Sequence, residues 1–397
     1  MAQPPASGTP QATAAQGDNG TAPKAARGLE GVVALESEIC FIEGQKGTLL
    51  YRGYDIDDLA RNASFEEVAY LLWNEDLPTR AQLDDLNATL RSERTLPPEV
   101  MDHLRHHTPG NANPMAAMRT VVSMLAMFDD EAEEMSDEAN RRKAIRLTAK
   151  LPTAVAAFDR IRKGLEPVAP KQQGSLAFDF LHMLNGEEPG EASEKIMDAA
   201  LVLHAEHGLN ASTFAARVIG ATLADIYSAI SGAMGALKGP LHGGANIEVM
   251  GMLLALDESG ESSDAYVRRK LENKERIMGI GHRVYKTIDP RASILREMLN
   301  GLSEEKGETK WLDMSTTIAD FVRQEKGLEA NVDFYSASVY YLLGIERDLY
   351  TPIFGISRMT GWTAHLLEQW KENRLIRPRA AYVGPTDKTV KPIEERQ

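Results

Sequence analysis

His242 stands in the run Gly239-Pro240-Leu241-His242-Gly243-Gly244-Ala245-Asn246, where glycines and a proline force sharp bends and allow close backbone approach. A histidine so held faces a ligand, unless it is a loop residue beside a helix cap. A second histidine, His282, lies in Gly279-Ile280-Gly281-His282-Arg283-Val284-Tyr285-Lys286. Asp289-Pro290-Arg291 follows, reading as a cap, a first-turn proline and a first-turn arginine. Amides at that helix start, with Arg283, Lys286 and Arg291, form a cationic, donor-rich patch suited to a phosphate or carboxylate. Asp333, in Asn331-Val332-Asp333-Phe334-Tyr335-Ser336, is a carboxylate among apolar side chains. Desolvation there would raise its pKa and sharpen it as a base, although a helix-capping aspartate reads the same way.

Other polar groups have plainer readings. His204 and His207 stand three apart with no further ligands at zinc-site spacing, so no metal is expected. His207 precedes a helix break and restart, Gly208 to Thr213, which leaves a substrate-facing role open. His103, His106 and His107 read as solvated, and His182 and His365 as structural. Gly279 and Gly281 lack the third glycine and the preceding strand of a dinucleotide fingerprint. Arg358, in Ser357-Arg358-Met359-Thr360-Gly361-Trp362, and the group Arg374, Arg377 and Arg379 read most plainly as an exposed basic edge. Cys40 is the single cysteine; it cannot form an internal disulfide, and its apolar, strand-like surroundings suit a buried spectator thiol.

Helices must position these groups. Ser64 and Glu67 make a capping box ahead of Val68, Leu71 and Leu72, with Pro78 as the stop. Apolar spacing of three and four predicts helices over 116–128, 141–158, 176–184, 193–204, 212–231, 263–276, 292–302, 311–325 and 361–372. The one clear strand signal lies between Gly31 and Arg52, interrupted at Glu43 to Gly47, and predicts a small N-terminal β-hairpin. The expected class is all-α, with no internal repeat.

Composition narrows the function. A chain of 397 residues implies one large unit or two domains sharing a cleft. With 43% hydrophobic and 26% charged residues it sits near the globular average, and no apolar run approaches the roughly eighteen residues of a membrane span. A net charge of -14 repels polyanions, so no nucleic-acid partner is expected, and an anionic ligand needs a local basic cluster. The first 26 residues, dominated by Ala, Pro, Gly, Gln and Thr, match neither a signal nor a transit peptide and are expected to be disordered. A reducing cytoplasm suits the cysteine count.

Taken in order, the segments resemble the citrate synthase family in its short bacterial and archaeal form. The resemblance rests on His-Gly-Leu-Asn-Ala-Ser-Thr-Phe at 207–214, the runs around His242 and His282, Asp-Pro-Arg at 289–291, the run around Asp333, Ser-Arg-x-x-Gly-Trp at 357–362 and Arg-Pro-Arg at 377–379. It extends from about Gly28, through Tyr51-Arg52-Gly53-Tyr54, to about Gly384. What it implies is an almost wholly helical homodimer whose subunits have a large and a small domain with the active site in the cleft. The expected division is a tail over 1–27, a large domain over 28–241 and 345–384, a small domain over 242–344 and a C-terminal tail over 385–397.

The resemblance also implies roles. Asp333 matches the base that removes a methyl proton from acetyl-CoA, His242 the donor to the thioester carbonyl, and His282 the group that protonates the ketone of oxaloacetate. His207, Arg291 and Arg358 match oxaloacetate ligands. Arg377 matches an arginine that completes the neighbouring subunit's site, and Lys286 stands where the family binds a CoA phosphate. Acetyl-CoA is then substrate and CoA product, with no permanently bound cofactor. The family's 2-methylcitrate synthases take propionyl-CoA through the same motifs, and one methylene is worth only about 1–3 kcal/mol, so both acyl groups stay open. A non-catalytic CoA-binding protein of the same fold is the remaining alternative.

Overall fold

The computed structural model describes residues 26–396, so the expected disordered tail lies outside the described residues except for its last two positions. Residues 26–36 and 377–396 form one compact unit, irregular apart from short 3-10 turns at Arg27–Leu29 and Ile393–Glu395. Residues 37–376 form the other and carry the sixteen α-helices found among the described residues, with one three-stranded sheet. The all-α expectation holds.

The sheet is smaller at its start than the sequence suggested and longer at its end. Strand β1 (Cys40–Glu43) pairs antiparallel with β2 (Thr48–Tyr51), Cys40 opposite Tyr51 and Glu43 opposite Thr48. A third strand, β3 (Tyr54–Asp55), adds to β2; two residues are too few to show alternation, which is why it escaped notice. Leu49 and Tyr51 are buried while Phe41 is exposed, so one face of the sheet packs inward. The Tyr51 hydroxyl donates to the Glu206 carbonyl at 2.8 Å, anchoring the sheet on the turn that carries His207.

The capping box forms as read: the Ser64 N–H donates to the Glu67 carboxylate at 2.8 Å and the Glu67 N–H to the Ser64 hydroxyl at 3.3 Å. The expected helix over 212–231 is two helices, Ala211–Gly220 and Ile226–Leu237. Leu223 between them takes φ of 64°, and Asp225 caps the second helix by accepting the Ser228 N–H at 2.9 Å. Apolar periodicity runs straight through this break, because both helices bury the same kind of face.

The helix Tyr350–Lys371 is the axis of the core. Ile353, Ile356, Met359, Trp362 and Leu366 are all buried; Thr363 donates within the helix to the Met359 carbonyl at 2.7 Å, whereas Thr351 donates outside it to the Gly243 carbonyl at 2.9 Å. Periodicity revealed only its second half, since a helix apolar on every side shows no stripe. Helices Glu191–His204 and Ala211–Gly220 pack against it, which sets the turn 205–210 at its flank.

Candidate active site

Two loops are tied together by backbone. Ile280 bridges Ala330, the Gly281 N–H donates to the Glu329 carbonyl at 2.7 Å, and the Asn331 N–H donates to the Gly279 carbonyl at 2.9 Å. Gly279 has φ of 75°, and a side chain there would meet the Phe334 backbone at 3.0 Å, so only glycine permits this approach. The junction brings His282 and Asp333 to one place.

Asp333 is the second residue of helix Val332–Leu342, and Asn331 provides the cap by accepting the Asp333 N–H at 3.0 Å. The capping alternative for Asp333 is therefore wrong. Among the described residues its carboxylate has no hydrogen-bond or ion-pair partner. Burial pushes its pKa up to about 6, with the Arg291 charge working against the rise.

The His282 ring accepts at Nδ1 from the N–H groups of Val284 and Tyr285, at 3.0 and 3.1 Å. Those groups only donate, which assigns the ring proton to Nε2. Burial, then Arg291, lowers the His282 pKa to about 4. His207 packs edge-on against it, ring centres 5.5 Å apart, and its Nε2 bonds the Tyr285 hydroxyl at 3.1 Å. Burial also holds His207 well below the usual histidine range.

Arg291 is only 2% exposed, and its guanidinium grips Asp289 through Nε at 3.0 Å and one Nη at 2.8 Å. Burial opposes its charge, but the Asp289 carboxylate outweighs that and raises the arginine pKa. Asp289 is the expected cap, accepting the Arg291 N–H at 3.1 Å, and it also accepts the Val332 N–H at 3.2 Å beside Asp333. Arg358, 1% exposed, makes one hydrogen bond, from Nε to the His204 carbonyl at 2.8 Å; no ion pair with a described carboxylate forms. The exposed-edge reading fails for Arg358: a buried guanidinium with an open fork is an anion site in waiting.

His242 lies in the turn before helix Ala245–Ser259. Its Nε2 is 2.8 Å from the Ser212 hydroxyl and 3.3 Å from the Ser212 N–H, and that hydroxyl also accepts from the Trp362 indole at 3.1 Å. Trp362 is one turn beyond Arg358 on the same helix face. Burial, then Arg358, lowers the His242 pKa to about 4, so the imidazole is neutral near pH 7.

Two further expected positions, Lys286 and Arg377, are exposed. The Lys286 ammonium donates to the Arg283 carbonyl at 3.0 Å. Arg377 belongs to the unit of 26–36 and 377–396. His204 is structural, its Nδ1 bonding the Ala200 carbonyl at 2.8 Å. No cluster of potential metal ligands occurs among the described residues, and none of their helices is long and apolar enough to cross a membrane. Ser212, Tyr285 and Asn331 were passed over as individual residues, although each stands inside a quoted motif.

A family model described as "Citrate synthase, C-terminal domain" matches residues 28–379. Citrate synthase 2 of Bacillus subtilis is 57% identical, across 94% of this chain and 99% of its own length. 2-Methylcitrate synthase 1 of Corynebacterium glutamicum is 41% identical, across 93% and 98%. The ternary complex of carboxymethyl coenzyme A and oxaloacetate with citrate synthase from Thermoplasma acidophilum superposes with a TM-score of 0.86 at 34% identity, over 94% of this chain and all of that one. By sequence and by fold, the chain belongs to the citrate synthase family.

Proposed function

We propose that Asp333, His242 and His282 carry out a Claisen-type condensation of acetyl-CoA with oxaloacetate, followed by hydrolysis of the citryl thioester to citrate and CoA. The chain is an enzyme of the citrate synthase family, an acyltransferase whose acyl group becomes alkyl on transfer. The observation that carries the residue roles is the partnerless Asp333 carboxylate, raised to about 6 and fixed beside the His282 loop.

Asp333 takes a proton from the thioester methyl group. A carboxylate is far too weak to leave a free enolate, and each unmatched pKa unit costs about 1.4 kcal/mol. The oxygen charge must therefore be met as it develops, by a preorganised donor away from water. A neutral His242 suits this: the Ser212 N–H donates to Nε2, so the ring proton sits on Nδ1, assigned as the donor. The carbon nucleophile attacks the ketone, and the Nε2 proton of His282 passes to the ketone oxygen. Arg358, Arg291 and His207 hold the two carboxylates of oxaloacetate. Water then cleaves the thioester.

The division into a large domain (28–241, 345–384) and a small one (242–344) is part of the same reading, supported by the pairing of 279–281 with 329–331 inside the smaller segment. So are a cytoplasmic homodimer in which Arg377 completes the neighbouring site, and a CoA-phosphate contact at the exposed Lys286. No permanent cofactor enters the scheme. The test is kcat/KM for acetyl-CoA against propionyl-CoA with oxaloacetate present, read as CoA release. Acetyl-CoA preferred by about tenfold or more is the expected result; the reverse order would make the chain a 2-methylcitrate synthase, and no release with either a binding protein.

A further inference from the structure

Glu206 is completely buried, and nothing in the chemistry above uses it. It directly precedes His207. One carboxylate oxygen faces His365 Nε2 at 3.1 Å; the other is buried without any partner among the described residues. The His365 ring accepts at Nδ1 from Arg217 at 3.0 Å, and a guanidinium only donates, so Nε2–H of His365 donates to Glu206. Arg217 is itself balanced by Glu368 at 2.6 Å and Gln369 at 3.1 Å. That leaves one carboxylate oxygen bare in the core, a costly arrangement unless its charge is put to use.

Arg358, Gly361 and His365 lie along one face of helix Tyr350–Lys371. A side chain at Gly361 would come within 2.3 Å of the bare Glu206 oxygen and 3.3 Å of Arg358 Cδ, so both groups flank the same point and glycine keeps it open for them. Glu206 exerts the strongest opposing field on Arg358, partly offsetting the burial that depresses the arginine's pKa.

We propose that Glu206 is a positioning residue, the built-in counter-charge beside Arg358 that holds the guanidinium fork open and competes with a dicarboxylate substrate for its charge. The inference rests on the assignment of Arg358 as an oxaloacetate ligand. The Glu206 charge weakens substrate and product binding alike, which favours release of a tricarboxylate.

Glu206→Gln keeps the shape and an oxygen for His365 while deleting the charge. Calorimetric titration of the full-length protein with oxaloacetate alone should show binding about fivefold to tenfold tighter, with kcat unchanged or lowered through slower product release. Glu206→Asp, which keeps the charge, should stay within about twofold of the parent. A structural defect would loosen binding in both variants. Unchanged or weaker oxaloacetate binding by a folded Glu206→Gln protein overturns the proposal. If that variant does not fold, Glu206→Asp decides: near-parental binding supports the charge, and a larger loss overturns it. A parent protein that binds no oxaloacetate removes the site assignment and this inference with it, whereas binding by the parent with no change in the variant removes the inference alone.

Discussion

Asn331 holds Gly281 through a hydrogen bond from its side-chain amide to the Gly281 carbonyl at 2.9 Å, while its side-chain oxygen caps the helix of Asp333 at 3.0 Å. One residue thus fixes the separation between the loop of His282 and the helix that carries the base. Replacing it tests whether that separation matters. Asn331→Ala should cost about 1–2 kcal/mol of stability through the lost cap and lower kcat about tenfold, with oxaloacetate affinity little changed. Asn331→Asp restores the cap without the donor, so thermal melts should recover while kcat stays low; full recovery of both would contradict the role.

The pH profile follows from the same site. Asp333 must be ionised to act as a base, and its pKa lies at about 6, whereas His242 and His282 lie at about 4 and stay neutral throughout. kcat/KM should rise with pH through a single limb centred near 6, falling about tenfold per unit below it. A limb at the ordinary aspartate value would remove the desolvated base.

Burying this carboxylate also burdens the fold. The folded pKa of about 6 exceeds the reference value of 3.8, so protonation stabilises the native state. That contribution is present below about pH 4 and is lost as pH rises to about 6, up to about 3 kcal/mol. Asp333→Asn should therefore melt at a higher temperature than the parent at pH 7 and 8, with the gap closing toward pH 4, followed by circular dichroism. An equal or lower melting temperature at pH 8 would contradict the desolvation.

The Ser212 N–H sets the tautomer of His242, and the Ser212 hydroxyl packs 2.8 Å from the same ring nitrogen. Ser212→Ala removes the hydroxyl from both His242 and the Trp362 indole, and kcat should fall about tenfold while the KM for acetyl-CoA changes less than threefold. A change confined to KM would mean that His242 only binds substrate.

The motifs carrying the chemistry were legible because glycine, proline and lone charged residues break an otherwise apolar helical pattern. His242, His282 and Asp333 each stand at such a break, and the structure puts all three in loops or at a helix start. The environments were less legible. Arg358 read as an exposed edge because the apolar residues around it surround the whole helix and show no stripe. Arg291 was expected to be free for ligand, yet two of its five guanidinium N–H groups serve Asp289, two residues before it. Glu206 and Tyr285 gave no periodic signal at all; their importance comes from contacts with residues 159 and 78 positions away. The break at Leu223 was hidden because the apolar spacing continues past Gly220, the glycine that ends the first helix.

The most direct test of the central assignment is Asp333→Asn, measured as CoA release from acetyl-CoA and oxaloacetate alongside calorimetric binding of oxaloacetate. The expected result is a fall in kcat of about a thousandfold or more with the dissociation constant for oxaloacetate within about threefold of the parent. Near-normal turnover in that variant would show that another group abstracts the proton and would contradict the account.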